Sequence, residues 1–303
     1  MKYRSVTVEA PATTANLGPA FDAMGVALDI WNWLTMEAGG ESRVEVEGQG
    51  SGELPKGREN VVYAAALRLF REAGVEAPPL RIRCRNKIPL KRGLGSSSAA
   101  IVGGLVGANA LLGNPVSQER MLALAVEMEG HPDNVTPALL GGAQIVVTDG
   151  NKLVTSPVRM PTDLKVVLYV PNGTISTAEA RKALPKQVSR EDAVFNLGRA
   201  ALLVNALASD RPQDLRAATE DRLHQPYREH LFPAMKVIIR DALKAGALGA
   251  FVSGSGPTVL ALARGREMSI AYEMAEGARK ANAPGETVIT RPTEKGAHII
   301  EAA

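Results

Sequence analysis

The sequence predicts an α+β protein built as two domains, and three observations predict it. The chain has 303 residues, about twice a typical domain. From Leu164 onward the order of elements is strand, helices, strand, strand, helix, strand, which is a split βαβ pattern. Between the halves, TSPVRMPTD (Thr155 to Asp163) has two prolines and no periodicity. A boundary is expected there, dividing the chain into domains 1–160 and 161–303.

In the first half, residues 3 to 9 alternate as a strand, and PATTANLGPAFDAMG (Pro11 to Gly25) then interrupts. That segment combines two prolines and two glycines with fixed polar groups, so it reads as a functional loop. Val26 to Met36 resumes as a strand with Trp31 and Trp33 on one face as core or cover, and 43–47 alternates again. Asn60 opens a helix that ends before Gly74, and Leu80 to Arg85 is a strand. A helix from about Ser97 to Leu112 is apolar on nearly all sides, so it is expected to be buried. Its Gly103, Gly104 and Gly107 each cost about 1 kcal/mol relative to alanine, which close packing would explain. Ser117 to Glu129 forms a further helix ending at GHPDN, and Ala143 to Asp149 forms a strand.

In the second half, Leu164 to Val170 is a strand, and Ser176 with Glu179 makes a capping box. Ser189 caps a helix to about Ser209, and Pro212 begins another reaching Arg222. Pro233 precedes a helix ending at Gly246. Strands Leu248 to Val252 and Thr258 to Ala263 flank SGSGP, a helix follows to about Ala281, and strands lie near Thr287 and His298.

Composition excludes several classes. Hydrophobic residues make up 45% and charged residues 22%, as in a soluble globular protein. Aromatics are 4%, so the core rests on Val, Leu, Ile and Ala. The net charge is +3 with Lys and Arg spread along the chain, which gives nucleic-acid binding little support. The lone cysteine, Cys84, permits no internal disulfide. It alternates with Leu80 and Ile82 in LRIRCRN and reads as a buried structural thiol. MKYRSVTVEAP lacks a signal-peptide core, and the apolar run from Ala99 to Gly113 falls short of the ~20 residues a bilayer requires. A cytoplasmic enzyme without membrane attachment is expected.

The stretch richest in chemistry is PLKRGLGSSSAA, Pro89 to Ala100. Gly93 and Gly95 allow close backbone approach, and Ser96, Ser97 and Ser98 stand where a helix begins. Unpaired N–H groups and the positive end of a helix dipole make such a place a phosphate cradle. A Gly/Ser turn capping a buried helix fits the loop equally. It is not a P-loop, which needs Lys-Ser/Thr after its last glycine, nor a dinucleotide fingerprint, which needs glycine at Ser98.

PATTANLGPAFDAMG, PLKRGLGSSSAA and AFVSGSGPTVLAL (Ala250 to Leu262) together resemble the three motifs of the GHMP small-molecule kinases. The first motif, EGHPDN (Glu129 to Asn134), STAEAR (Ser176 to Arg181) and PYREHL (Pro226 to Leu231) are similar to the homoserine kinase form of that family. The resemblance covers nearly the whole chain in the right order. Ala20 departs from it, standing where the family has glycine in Gly-Pro-Gly-Phe-Asp. If that position needs positive φ, alanine strains it by about 1 kcal/mol.

The resemblance implies an N-terminal domain like domain 2 of ribosomal protein S5 and a ferredoxin-like C-terminal domain. It implies ATP-dependent phosphorylation of the side-chain hydroxyl of L-homoserine, with Mg²⁺, in an enzyme whose relatives are often homodimers. Pro89, Leu90, Lys91, Arg92, Gly93, Leu94, Gly95 and Ser96 to Ser98 carry over as the ATP-binding loop, with Asn60 at the base pocket. Ser97 and Glu129 match Mg²⁺ ligands, Glu127 being a weaker candidate. Asp133 stands in the place of a catalytic base in related kinases, and Asn134 and Glu129 complete the catalytic group. His131 is open to a base role or a structural one, and His224, His230 and His298 read as structural. Homoserine is a zwitterion with a distal hydroxyl, so it needs a carboxylate for its ammonium, arginines for its carboxylate and an anchor near the reacting oxygen. Asp22 with Asn16, Arg181 with Arg228, and Asn134 fill these roles in the family pattern.

Two alternatives stand beside this one. A relative acting on a mevalonate-type alcohol would leave Asp22 without an ammonium to meet. A catalytically inactive ATP-binding regulatory protein would have no need of Ser97, Glu129 and Asn134 together.

Overall fold

A computed structural model describes residues 1–150 and 152–303. In the first half, β1 (Ser5–Asn16), β2 (Ala20–Ala38) and β3 (Arg43–Gly48) precede α1 (Val61–Glu72) and β4 (Leu80–Asn86). Then come α2 (Ser96–Leu112), α3 (Gln118–Glu129), α4 (Pro132–Leu140), β5 (Ala143–Asp149) and β6 (Lys152–Val158). The 19-residue β2 is the spine of the first sheet: its C-terminal part pairs with β4 and its N-terminal part with β5, while β1 runs along most of it. Helices α1 to α4 cover one face over a buried cluster that includes Met36, Phe70, Ile82 and Leu105.

The second half contains β7 (Lys165–Pro171), α5 (Thr177–Lys182), α6 (Arg190–Ala208), α7 (Leu215–Ala218) and α8 (Gln225–Arg228). It continues with α9 (Met235–Lys244), β8 (Gly249–Val252), β9 (Val259–Ala263), α10 (Glu267–Lys280), β10 (Gly285–Thr290) and β11 (His298–Ala302). Its four-stranded antiparallel sheet has the order β10-β7-β9-β8, fourth-first-third-second, as a ferredoxin-like sheet does. Helices α9 and α10 cover one face. A third cluster, with Leu17, Ile88 and Leu94 from the first half and Leu168, Leu203 and Phe251 from the second, joins the two halves.

Local chemistry sets the helix starts. Asn60, Ser117, Ser176 and Ser189 each accept a backbone N–H of the first turn, and Glu179 closes the expected capping box.

Four expectations change. Pro11 to Gly25 is a hairpin rather than an irregular loop: β1 runs on to Asn16 and β2 begins at Ala20. Positions 10 to 20 are continuously buried, so no alternation marks the strand. The boundary segment is partly strand, since Thr155 to Val158 lie in β6 and pair with β5. The helix expected from Pro212 to Arg222 reduces to a 3-10 turn and the four residues of α7. Beyond it the Asp221 carboxylate accepts the backbone N–H groups of Leu223, His224 and Gln225, which competes with continued helix. The last strand leaves its expected sheet: β11 pairs with β1, so residues after 290 close the first sheet.

Close packing explains the glycines of α2 unequally. A Cβ at Gly104 would stand 2.6 Å from the Val62 carbonyl oxygen and 2.9 Å from Ala65 Cβ, where α1 crosses. At Gly103 the nearest atoms would be 3.6 and 3.7 Å away, an ordinary contact. Gly103→Ala is therefore expected to stabilise the protein by up to about 1 kcal/mol through helix propensity. Gly104→Ala should destabilise it by about 1–3 kcal/mol despite the same gain. Urea midpoints of the two variants check the opposite signs.

Candidate active site

A cleft of about 250 Å³ opens where the two halves meet. One wall is the turn between β4 and α2, from Lys91 to Gly95, continuing into Ser96 and Ser97. Gly93 and Gly95 are left-handed, with φ of 72° and 66°. Gly95 is the N-cap of α2, and no side chain caps it. The first-turn N–H groups of any helix lack intrahelical partners, and Ser96 and Ser97, which carry the first of them here, line the cleft. A Cβ on Gly95 would also overlap Thr13 Oγ1, so the turn is tight against β1 as well as open to a ligand.

Behind the serines, Glu129 ends α3. Ser97 Oγ donates to its Oε2 and Ser98 Oγ to its Oε1, both at 2.9 Å. His131 Nδ1 lies 2.6 Å from Asp133 Oδ1, and its Nε2 is 3.9 Å from Glu129 Oε1. Burial opposes a charge on His131, but the hydrogen bond to Asp133 and the charges of Asp133 and Glu129 outweigh it and hold its pKa above the ordinary value. Asn134, beside Asp133 in the first turn of α4, accepts from Thr13 Oγ1 at 2.8 Å. Glu127 points elsewhere, into ion pairs with Arg68 and Arg120.

The far wall is the β1–β2 turn and the arginines of α5 and α8. Asn16, Leu17, Gly18 and Asp22 are all left-handed, and Ala20 is not, so the departure at that position carries no strain. Asn16 Oδ1 accepts from the Asp22 N–H at 2.9 Å, and its Nδ2 donates to the Gly254 carbonyl at 3.0 Å. Asp22 receives a two-pronged bond from Arg181, Nη2 to Oδ1 at 2.8 Å and Nη1 to Oδ2 at 2.9 Å. Arg228 is 4% exposed and lies with Arg181 against the same ring, Phe21, at 5.5 and 5.7 Å. Burial, then the charge of Arg181, lowers Arg228 to about 10, still protonated at neutral pH.

The cleft thus brings together Asn16, Asp22, Lys91 to Ser97, Glu129, Asp133, Asn134, Arg181 and Arg228. Others lie apart. Leu90 and Asn60 border a second, mostly apolar cleft of about 300 Å³ that shares Lys91, Ser96 and Ser97 with the first. The Asn60 side chain is committed at both ends, to Val62 N and the Pro55 carbonyl, so it shapes that cleft and offers it little. Trp33, expected as core or cover, lines it too. Pro89 lies outside both clefts, and Ser98 is fully buried beneath the helix start. Arg92 borders the site, but its guanidinium donates to the carbonyls of Leu90, Pro171 and Asn172. Phe21, Thr13, Ser253 and Gly254 also build the site, with no role of their own evident in the sequence. Their only signal was membership of the first and third motifs.

Two family models match the chain, the GHMP kinases N terminal domain over residues 60–142 and the GHMP kinases C terminal over 202–279. A homoserine kinase of Moorella thermoacetica is 41% identical over 97% of this chain and 99% of its own length. The chain belongs to the homoserine kinase family of the GHMP kinases. Another member, from Carboxydothermus hydrogenoformans, is 43% identical over 96% of each chain. The crystal structure of homoserine kinase from Cytophaga hutchinsonii superposes with a TM-score of 0.89 at 31% identity, covering 99% of this chain and 98% of that one. A mevalonate kinase of L. major in complex with R-mevalonate, at 16% identity and a TM-score of 0.70, shares the fold alone. GHMP kinases use ATP, and the glycine turn with its helix start lies in the N-terminal family domain.

A buried imidazole lies behind the cleft, against Arg228. Burial lowers the pKa of His224 to about 4, with Arg228 reinforcing the shift and Asp221 and Asp22 opposing it. The folded pKa lies below the unfolded value of about 6.5, so the unfolded state takes up this proton first as pH falls. The stability due to neutral His224 is complete above about pH 6.5 and is lost toward pH 4. Between those limits the wild type should lose up to about 3 kcal/mol relative to His224→Asn. Denaturation series from pH 8 to 4 measure the difference, and parallel curves would contradict it.

Proposed function

We propose that this protein transfers the γ-phosphoryl group of ATP to the side-chain hydroxyl of L-homoserine, giving O-phospho-L-homoserine and ADP. One observation carries the proposal. A carboxylate, Asp22, and two guanidiniums, Arg181 and Arg228, border the same cleft as a glycine turn at a helix N-terminus. The turn suits phosphates, and the charged trio suits an amino acid's ammonium and carboxylate. The relatives named homoserine kinase support this substrate.

The backbone of Gly93 to Ser97 and the dipole of α2 hold the phosphates, and the apolar second cleft takes the base. Ser97 and Glu129 are hard oxygen donors adjacent to that cradle, a set that suits Mg²⁺, which binds one or two carboxylates together with substrate phosphates. When bound, Mg²⁺ neutralises charge on the transferring phosphoryl group. Asn134, fixed by Thr13, orients the acceptor hydroxyl. As its oxygen bonds to phosphorus and the bond to the ADP oxygen breaks, Asp133 takes the hydroxyl proton. Positioning and charge neutralisation supply most of the rate in such a transfer.

The zwitterion meets a site that is already internally paired. Asp22 uses both oxygens toward Arg181, and each oxygen keeps a lone pair for an ammonium N–H. The substrate carboxylate then lies between Arg181 and Arg228. A mevalonate-type alcohol has no ammonium and would leave Asp22 paired only to Arg181.

A coupled assay of ADP release against homoserine, mevalonate, threonine and shikimate tests the proposal. Homoserine is expected to turn over at least a hundredfold faster than the others; a preference for mevalonate or shikimate would overturn it. Arg181→Ala and Arg228→Ala should each raise KM for homoserine about 10- to 150-fold with KM for ATP little changed. A variant that alters only the ATP constant assigns that arginine to the nucleotide side.

A further inference from the structure

We propose that His224 is a positioning residue that sets which corner of the Arg228 guanidinium faces the acceptor, and that it does so as a neutral imidazole protonated on Nε2.

His224 has no exposed surface. Its Nε2 lies 2.7 Å from the Gly18 carbonyl oxygen and 3.6 Å from Asp221 Oδ2, two groups that only accept hydrogen bonds. Its Nδ1 lies 3.1 Å from Arg228 Nη1, which only donates. Nε2 therefore carries the hydrogen and Nδ1 presents a lone pair. Protonating Nδ1 would set an N–H against the guanidinium. A folded-state pKa of about 4 agrees with a ring that stays neutral at physiological pH. The Asp221 carboxylate does not compete for the ring, because it already accepts three backbone N–H groups and Asn196 Nδ2.

The consequence falls on Arg228. Its Nε donates to the Ala180 carbonyl at 3.2 Å, and its Nη1 donates to both the Gly254 carbonyl and His224 Nδ1. Among the described residues, these bonds leave Nη2 as the free corner of the fork. Ala180 adjoins Arg181, and Gly254 also receives Asn16, so the same contacts register Arg228 against the neighbours of Asp22. His224 adds a tie of its own, because Gly18 lies in the left-handed turn that ends at Asp22, and the ring stacks on Phe21 at 5.3 Å. One side chain thereby fixes the carboxylate-reading arginine relative to the ammonium-reading aspartate.

The proposal rests on the homoserine assignment for its kinetic arm and on geometry alone for its spectroscopic arm. His224→Leu removes both polar contacts and is expected to raise KM for homoserine about tenfold or more, with KM for ATP within about twofold of wild type. His224→Asn keeps an oxygen near the position of Nδ1 that can accept from Arg228, and it should recover most of that loss. A leucine variant with unchanged homoserine KM, or with both constants raised in parallel, overturns the proposal. So does an asparagine variant no better than leucine. Should His224→Leu fail to fold, His224→Asn decides alone: a homoserine KM within about threefold of wild type supports the proposal, and a tenfold rise overturns it. Long-range ¹H–¹⁵N spectra of histidine-labelled protein at pH 7 should show a neutral ring protonated on Nε2, whose Nδ1 signal shifts in Arg228→Leu. A ring protonated on Nδ1, or charged at pH 7, overturns the proposal. If the wild type proves inert toward homoserine, the functional assignment falls, and the spectra still decide the role of His224.

Discussion

The carbonyl oxygen of Gly254 accepts two hydrogen bonds, one from Asn16 Nδ2 and one from Arg228 Nη1, each at 3.0 Å. Asn16 belongs to the first strand, Arg228 to a four-residue helix, and Gly254 to the turn between β8 and β9. Ser253 extends the junction, because its hydroxyl lies on both Thr14 Oγ1 and the Gly93 carbonyl. Three segments distant in sequence are thus fastened at one point. The left-handed residues Asn16, Leu17 and Asp22 would be strained in isolation; here they are over-determined by these bonds and by the apolar cluster beneath them. The cleft exists because this junction holds.

The charges at the acceptor end follow from the same packing. Arg228 is buried and keeps its proton, held by two carbonyls and an imidazole nitrogen. Arg181 is more exposed, and its bond to Asp22 raises its pKa. A half-exposed pair of this kind contributes little to stability, and it leaves a lone pair on each Asp22 oxygen. The three groups sum to one positive charge, which suits the substrate carboxylate proposed for them without repelling an ammonium from Asp22.

Much of this was legible before the fold. Asn60, Ser117, Ser176 and Ser189 announce their helices because capping is local chemistry, readable from a residue and its next three neighbours. The four-stranded order of the second half follows from the succession of its elements. What stayed hidden depends on distant partners. Strand β11 reads like any other terminal strand, and only its pairing with β1 moves it to the first sheet. Arg92 carries over from the resemblance as part of the ATP-binding loop, but the end of β7 offers its guanidinium carbonyls. Asn60 resembles a base contact, yet the same residue type is a helix cap, and the cap uses its side chain. His224 lacks metal-ligand spacing, and the role proposed for it depends on Gly18, 206 positions away, whose carbonyl meets the ring.

The central claim is that the acceptor end of the cleft reads a zwitterion, and Asp22 tests it most directly. Asp22→Asn keeps the size of the side chain and removes the charge that an ammonium would meet. The measurement is kcat/KM for L-homoserine relative to that for 4-hydroxybutyrate, the same alcohol without its amino group, in wild type and variant. The ratio should fall by about two orders of magnitude in Asp22→Asn, since one side of a partly buried ion pair is lost. An unchanged ratio, with both substrates weakened alike and the melting temperature lowered, would mean that Asp22 serves only to brace the turn and Arg181.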